Sequence, residues 1–459
     1  MDVEQARIAV QALMPRAHAE LAELVAMRSV ADPRQFPPEE CTRAAQWLVD
    51  AFTQVGVQDV HLQPTPDGTS AVVGFTPGPD GAPTVLLYGH YDVQPPLVDD
   101  AWHSPPFELT ERDGRWYGRG AADCKGNLLV HLTALRALAG AAPEGHLFPV
   151  GVRVVVEGSE EQGTGGLEEY VAANPGALDA DVIVVADTGN AEVGLPTVTT
   201  TLRGIANVVV HVEALTGEIH SGMFGGPAPD GLAALVHMLA TLRDERGNTT
   251  IDGLDASARW PGVPYPAEQF RADAGVIDGV HLLGDGEVAD LVWARPAVTI
   301  LGIDCPPVVG SAAAIQPRAS ARLNLRVPPH MSARAAQDAL VAHLENAAPW
   351  GVKVRIERES DGEPFSAATD GPAYAVLAGA MADAFGRPMV TAGQGGSIPL
   401  CNVLAAGYPK AEIVLLGVEE PKCLIHAPNE SVDPREIENM AVAETLFLSR
   451  LPGAGRHHG

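Results

Sequence analysis

Thr84-Val-Leu-Leu-Tyr88 runs straight into Gly89-His-Tyr-Asp-Val-Gln-Pro95. The first five residues read as a strand, and the polar cluster begins where that strand must end. Two further runs have the same form, Val152 to Glu157 and Asp181 to Ala186. Val182-Ile-Val-Val-Ala186 is apolar at consecutive positions, as a strand covered by helices on both faces should be. From about residue 17 to 203 such runs alternate with helical stretches, the first carrying Leu21, Leu24 and Val25 on one face. That alternation is the grammar of an α/β fold. In open α/β sheets the loops beyond the carboxyl ends of the strands form the ligand crevice. His90, Glu160, Glu161 and Asp187 all fall just past such ends, so they can converge although they are far apart in the chain.

The texture changes between about 204 and 366. Strands are expected at Asn207 to Glu213, Ser320 to Val327 and Val352 to Glu359, together with two helices. One helix carries Leu232, Leu235, Val236, Leu239 and Leu242 at the spacing of a one-sided buried face. A Gly/Pro/Asp-rich stretch around 252 to 286 contains Trp260-Pro-Gly-Val-Pro264 and reads as an irregular loop. After Pro364 the first texture resumes, with a helix from Tyr374 to Phe385, a Gly-rich loop and a strand from Glu412 to Leu416. The second domain is therefore expected as an insertion into the first, and 459 residues suffice for two separate cores.

Composition narrows the function. Thirty Lys and Arg against 58 Asp and Glu give a formal net charge of −28, which repels phosphate backbones and anionic headgroups. Nucleic acid is not an expected partner, nor is a membrane, since no apolar run approaches the roughly 18–20 residues that span a bilayer. The five cysteines are scattered, without a Cys-x-x-Cys pair, which fits a reducing compartment. The N-terminus has no basic segment followed by an apolar one, and a cytoplasmic location is expected.

The polar clusters carry the chemistry. One early imidazole, several carboxylates and a late His426 make up a ligand set suited to zinc or manganese. In Glu157-Gly-Ser-Glu-Glu-Gln-Gly163 adjacent carboxylates sit in a Gly-flanked loop, where one side chain can face a metal and its neighbour a water. That suits Glu160 as general base and Glu161 as ligand; alone, the pair reads far more readily as solvated loop charge. Asp92 lies two residues after His90, on the same side of an extended segment, where it can orient the imidazole or support the base. Asp123 precedes a helical run from Asn127 to Leu138, and its alternative reading is a helix cap.

Taken together these segments resemble the M20 metallopeptidases, and within them the dipeptidase branch that includes carnosinase-like enzymes. The resemblance rests on Gly89–Pro95, Gly118-Arg-Gly-Ala-Ala-Asp-Cys-Lys-Gly126, Glu157–Glu161, His220-Ser-Gly-Met-Phe-Gly-Gly226, Gly395-Gly-Ser-Ile-Pro399 and His426-Ala-Pro-Asn-Glu430, in the family's order. It implies two divalent metal ions, Zn or Mn, bridged by Asp123, with His90 and Asp187 on one and Glu161 and His426 on the other. It implies Glu160 as base, Asp92 as its supporting carboxylate, and a cis peptide between Asp123 and Cys124. It further implies that the inserted domain is a lid that dimerises and that His220 binds substrate or stabilises the oxyanion. By the same resemblance Arg326 grips the substrate carboxylate, and the Gly395, Gly396 and Ser397 loop binds the peptide's C-terminus.

The expected fold is thus an α/β catalytic domain, a mixed sheet flanked by helices of the phosphorylase/hydrolase-like kind, formed by residues 1–203 and 367–459. An α+β lid and dimerisation domain, residues 204–366, is inserted into it. The expected reaction is hydrolysis of the amide bond of a dipeptide or short peptide by a metal-bridging hydroxide. An N-acyl-amino-acid deacylase or desuccinylase is the alternative on the same fold, and a non-catalytic binding protein the alternative of another class. One departure from the family concerns specificity: many relatives carry Arg-Glu before the Gly-Gly-Ser, where this chain has Gly393-Gln394. His457-His458 in the Gly-rich tail is expected to be disordered and not to bind metal.

Overall fold

The structure is a computed structural model describing residues 1–142 and 145–454. The chain divides into two compact units: Met1–Thr200, Ala367–Ala392 and Pro399–Gly459, and then Thr201–Ser366 with Gly393–Ile398. The His457-His458 pair lies outside the described residues.

In the first unit the strand Thr84–His90 is central. It pairs in parallel with Gly151–Glu157 on one side and Val182–Ala186 on the other, and Val182–Ala186 pairs in parallel with Glu412–Leu416. Ser70–Thr76 and His61–Pro64 extend the sheet antiparallel, so the sheet is mixed. The register aligns His90 with Glu157 and Leu416 with Ala186, which brings the carboxyl ends of four parallel strands to one edge. Leu87, Val154 and Val184 belong to the core built with the helices Val3–Ala26, Lys125–Gly140 and Pro434–Ala454, while Leu86, Val155 and Ile183 point the other way and are buried as well. Burial of both faces is the physical reason these strands read as unbroken apolar runs. Each such side chain contributes about 1.5–3 kcal/mol of transfer free energy.

The second unit is a four-stranded antiparallel sheet in the order Ala297–Asp304, Arg318–Val327, Gly204–Glu213, Lys353–Gly362. Alternate residues of Gly204–Glu213 are buried, so Val208, Val210 and Val212 face the helices Gly231–Ala240 and Ala333–Asn346 and the intervening residues do not. Asp230 starts the first of these helices by accepting from Leu232 and Ala233 N–H, and Ser332 caps the second. The buried face of Gly231–Ala240 is Ala234, Leu235, Met238 and Leu239. Val236 is 53% exposed, contrary to the sequence pattern, because one residue of advance turns it about 100° away from Leu235.

Three further features differ from the sequence reading. The edge strand Ala297–Asp304 is exposed at most of its residues, so it lacked a burial signal. The 252–286 stretch holds a helix, Ala267–Asp273, and its aromatic residues Trp260, Tyr265 and Phe270 pack with each other and with Trp293. Gly393–Ile398 groups with the second unit, although the sequence division places 367–459 wholly in the first. The cause is close packing: a Cβ on Gly393 would lie 2.8 Å from Trp293 Cβ, and one on Gly395 2.9 Å from Arg203 Nη2. Among the described residues no helix is long and apolar enough to cross a membrane.

Candidate metal centre

His90 is the last residue of its strand and is fully buried. Its Nε2 lies 3.0 Å from Asp123 Oδ1 and 3.1 Å from Asp187 Oδ1, while Nδ1 lies 3.0 Å from the Asp92 carbonyl oxygen. Asp187 follows the strand Val182–Ala186 directly. On the other side of Asp123, Oδ2 lies 2.9 Å from His426 Nε2, which is 3.2 Å from Glu161 Oε2. One carboxylate thus shares its two oxygens between two imidazoles, each of which meets a second carboxylate. Ion-to-ligand distances of about 2.0–2.2 Å in tetrahedral geometry place neighbouring donors about 3.4 Å apart. The observed separations are close to that edge length, and nitrogen with carboxylate oxygen is a donor set for a borderline divalent ion. The residues fit a pair of cations bridged by Asp123.

Asp123 is not a helix cap. The N-cap of Lys125–Gly140 is Cys124, which makes no side-chain cap bond, and the Asp123–Cys124 peptide is cis. Two further groups reach the cluster. Cys124 is within ligand distance of His90 and Asp187, but burial pushes its thiol up to about 12 and Sγ donates to the Ala186 carbonyl. Glu419 groups with Asp123 and Asp187. Sequence reading missed it, although Glu419 follows the strand Glu412–Leu416 by three residues and the strand-end rule that found Asp187 applies to it.

The electrostatics are those of a site built for positive charge. Burial, with the charge of Asp187 next, holds Glu160 well above the ordinary carboxylate range. Burial likewise raises Glu161 and Glu419, and Asp187 to about 6. Burial opposes protonation of His426, but its hydrogen bonds to Asp123 and Glu161 outweigh that and bring it to about 11. Burial also works against ionisation of Asp123, and the contacts with His426 and His90 reverse the sign, leaving it well below the usual range. Carboxylates crowded in this way keep their protons or gather a cation.

The loops that carry these groups are tied down through their backbones. Asp92 accepts the N–H of Glu160 at 3.1 Å and of Glu161 at 3.0 Å, one on each oxygen, so it fixes the turn Glu160–Gln162 that presents both carboxylates. Gly158, just before this turn, has no room for a side chain, since a Cβ would lie 2.1 Å from Tyr91 Oη. Glu430 accepts from the N–H groups of Gly120, Ala122 and Asp123 at 3.0–3.1 Å and pairs with Arg119 at 2.6 Å. Both members of that pair are buried, and removing one from such a pair costs about 3–5 kcal/mol. Lys125 Nζ donates to the carbonyls of Leu24 and Met27 at the end of Val3–Ala26. His426 itself sits at φ +63°, a left-handed conformation that costs a non-glycine residue about 1–2 kcal/mol.

The remaining expected site residues belong to the second unit. His220 is exposed and accepts the Gly222 N–H through Nδ1 at the start of the short helix Ser221–Phe224. Arg326 lies near the end of Arg318–Val327, half-buried, with its pKa lowered by that burial. Gly395, Gly396 and Ser397 form the loop after the strand Val390–Gln394.

Residues 86–450 match the model of peptidase family M20/M25/M40. The chain belongs to this family. A cysteinylglycine-S-conjugate dipeptidase from Corynebacterium striatum is 45% identical over 94% of the chain and 95% of the relative. A Beta-Ala-His dipeptidase from Rattus norvegicus is 27% identical over 92% of the chain and 85% of the relative. The crystal structure of human carnosine dipeptidase 1 covers 98% of both chains with a TM-score of 0.80 at 25% identity. Within M20 the chain falls in the dipeptidase branch, and it is a metallopeptidase with a candidate binuclear centre.

Proposed function

We propose that the chain is a dipeptidase that cleaves the single peptide bond of a substrate such as Cys-Gly, a Cys-Gly S-conjugate or β-Ala-His, the classes that its relatives' names specify. The observation that carries this reading is the sharing of Asp123 between the His90–Asp187 and His426–Glu161 pairs. Zn or Mn bound there would polarise the scissile carbonyl and lower the pKa of an attacking water to about 7. Glu160 takes the proton of that water and delivers it to the leaving amine; its raised pKa suits a group that must hold a proton between the two steps. Asp92 keeps Glu160 in place through the turn's backbone.

Substrate recognition is the proposed task of the second unit. Arg326 and the Gly395, Gly396 and Ser397 loop take the carboxylate, and His220 donates to the developing oxyanion. The division into a catalytic unit and a lid unit follows from these roles. A homodimer formed through the lid is supported by the edge strand Ala297–Asp304, where Ile300, Leu301 and Ile303 are exposed beside unpaired backbone groups. Cytoplasmic residence is consistent with five free cysteines.

Glu160→Ala decides the mechanism. Metal-loaded wild type is expected to hydrolyse Cys-Gly and β-Ala-His but not N-acetyl or N-succinyl amino acids. The variant should lose turnover by about 10³-fold or more while metal analysis still finds two ions per chain. Turnover retained at equal metal content removes Glu160 as the base, and faster cleavage of the acyl-amino acids makes the enzyme a deacylase.

A further inference from the structure

The second unit contains a cation, Arg203, that no acidic side chain among the described residues pairs with. The Arg203 N–H donates to the Gln394 carbonyl at 3.2 Å, and its guanidinium lies against Gly395, where a Cβ would approach Nη2 to 2.9 Å. Arg203 Nε and Nη1 are buried without a hydrogen-bond partner, and so is Gln394 Oε1. A buried guanidinium with empty donors is unfavourable unless an acceptor arrives.

Arg326 shares this corner. It stands opposite Ile205 in register, and Ile205 stands opposite Gly362. Residues directly opposite one another in an antiparallel pair share a face. A Cβ on Gly362 would lie 3.5 Å from Ile205 Cγ1 and 3.9 Å from Ser397 Oγ, so Ser397 covers the face from which Arg326 projects. Burial, and then the charge of Arg326, draws Arg203 down to about 10. The acidic side chains nearest in sequence to Gly362 are engaged elsewhere: Glu359 with Arg322, Asp361 with Arg334, and Glu363 with Ser332 and the Ala333 N–H. Position 394 is a neutral amide, so it leaves the arginines uncompensated.

We propose that Arg203 is a specificity-determining residue: with Arg326 it binds the free C-terminal carboxylate of the substrate, and it confines the enzyme to peptides that end in an unblocked acid. Two neighbouring planar guanidinium groups, that of Arg203 with buried open donors, suit one planar, bidentate monoanion. The proposal rests on the dipeptidase reading and adds to it the residue that makes the carboxylate obligatory.

The test compares Ala-Gly with Ala-Gly amide, by kcat/KM in metal-loaded enzyme and by calorimetric binding in the turnover-free Glu160→Ala background. R203M is expected to weaken the acid by about 10- to 100-fold, the range that a charge-assisted hydrogen bond supplies, and to change the amide less than about threefold. R203K should restore part of the preference, because it returns the charge without the fork. Equal weakening of acid and amide by R203K, or an unchanged acid-to-amide ratio in R203M, overturns the proposal. Wild type that binds the acid but cleaves no dipeptide refutes the dipeptidase reading, while the binding comparison still decides Arg203.

Discussion

His90 and His426 each meet one oxygen of Asp123, in opposite surroundings. His90 ends a central strand, has no exposed surface, and is held at Nδ1 by the Asp92 carbonyl. The His426 side chain is 53% exposed and sits on a loop where Leu424, His426 and Asn429 all adopt positive φ. One half of the centre is therefore part of the core and the other is an attachment to it. Local opening costs least where few apolar contacts hold the backbone, so the half that contains His426 is the one expected to exchange its ion first.

Asp123→Ala should abolish the comparison altogether. It removes the carboxylate common to both halves, and turnover is expected to fall on the order of 10³-fold or more, with both ions missing by elemental analysis. A variant that keeps one tightly bound ion would show that the halves are independent. A finer test sets His426→Ala against His90→Ala. The first should retain about one ion per chain and unfold near the wild-type temperature. The second should lose metal and also about 2–4 kcal/mol of stability, because it leaves Asp187 and Asp123 buried without their shared partner. Equal metal loss and equal stability in the two variants would contradict the asymmetry.

The smallest effect concerns Glu157, which stands beside His90 in register and accepts from Tyr88 Oη. Burial, with the charge of Glu168 next, raises it from 4.5 to about 8. A carboxyl raised in the folded state binds its proton more tightly there than in the unfolded chain. Its stabilising contribution is thus complete below about pH 4.5 and disappears as pH rises through about 8. Glu157→Gln should flatten the fall in melting temperature between pH 5 and 8, measured on metal-free protein at constant ionic strength. An unchanged slope would place the titration on another group.

The legible parts of this molecule were those where local pattern and burial agree. Val182–Ala186 is apolar without interruption because both of its faces are covered, and His90 and Asp187 follow from where such strands stop. Glu430 and Arg119 gave no sign of their partnership, since they are 311 residues apart and meet only when the chain folds. Glu419 falls under the same strand-end rule as Asp187, but it stands three residues past its strand where Asp187 follows its own directly. Arg203 left no trace in periodicity either: an unsatisfied donor is visible only once its surroundings are known. The Ala297–Asp304 strand escaped notice for a related reason, because an exposed edge does not alternate between buried and open positions.

Glu430 gathers three backbone N–H groups and a guanidinium behind Asp123, so one carboxylate ties the Gly120–Asp123 loop to the segment that carries His426. A tether of that kind links distant parts of the chain: a change at Glu430 is felt at Asp123 on one side and at His426, a few residues before it, on the other.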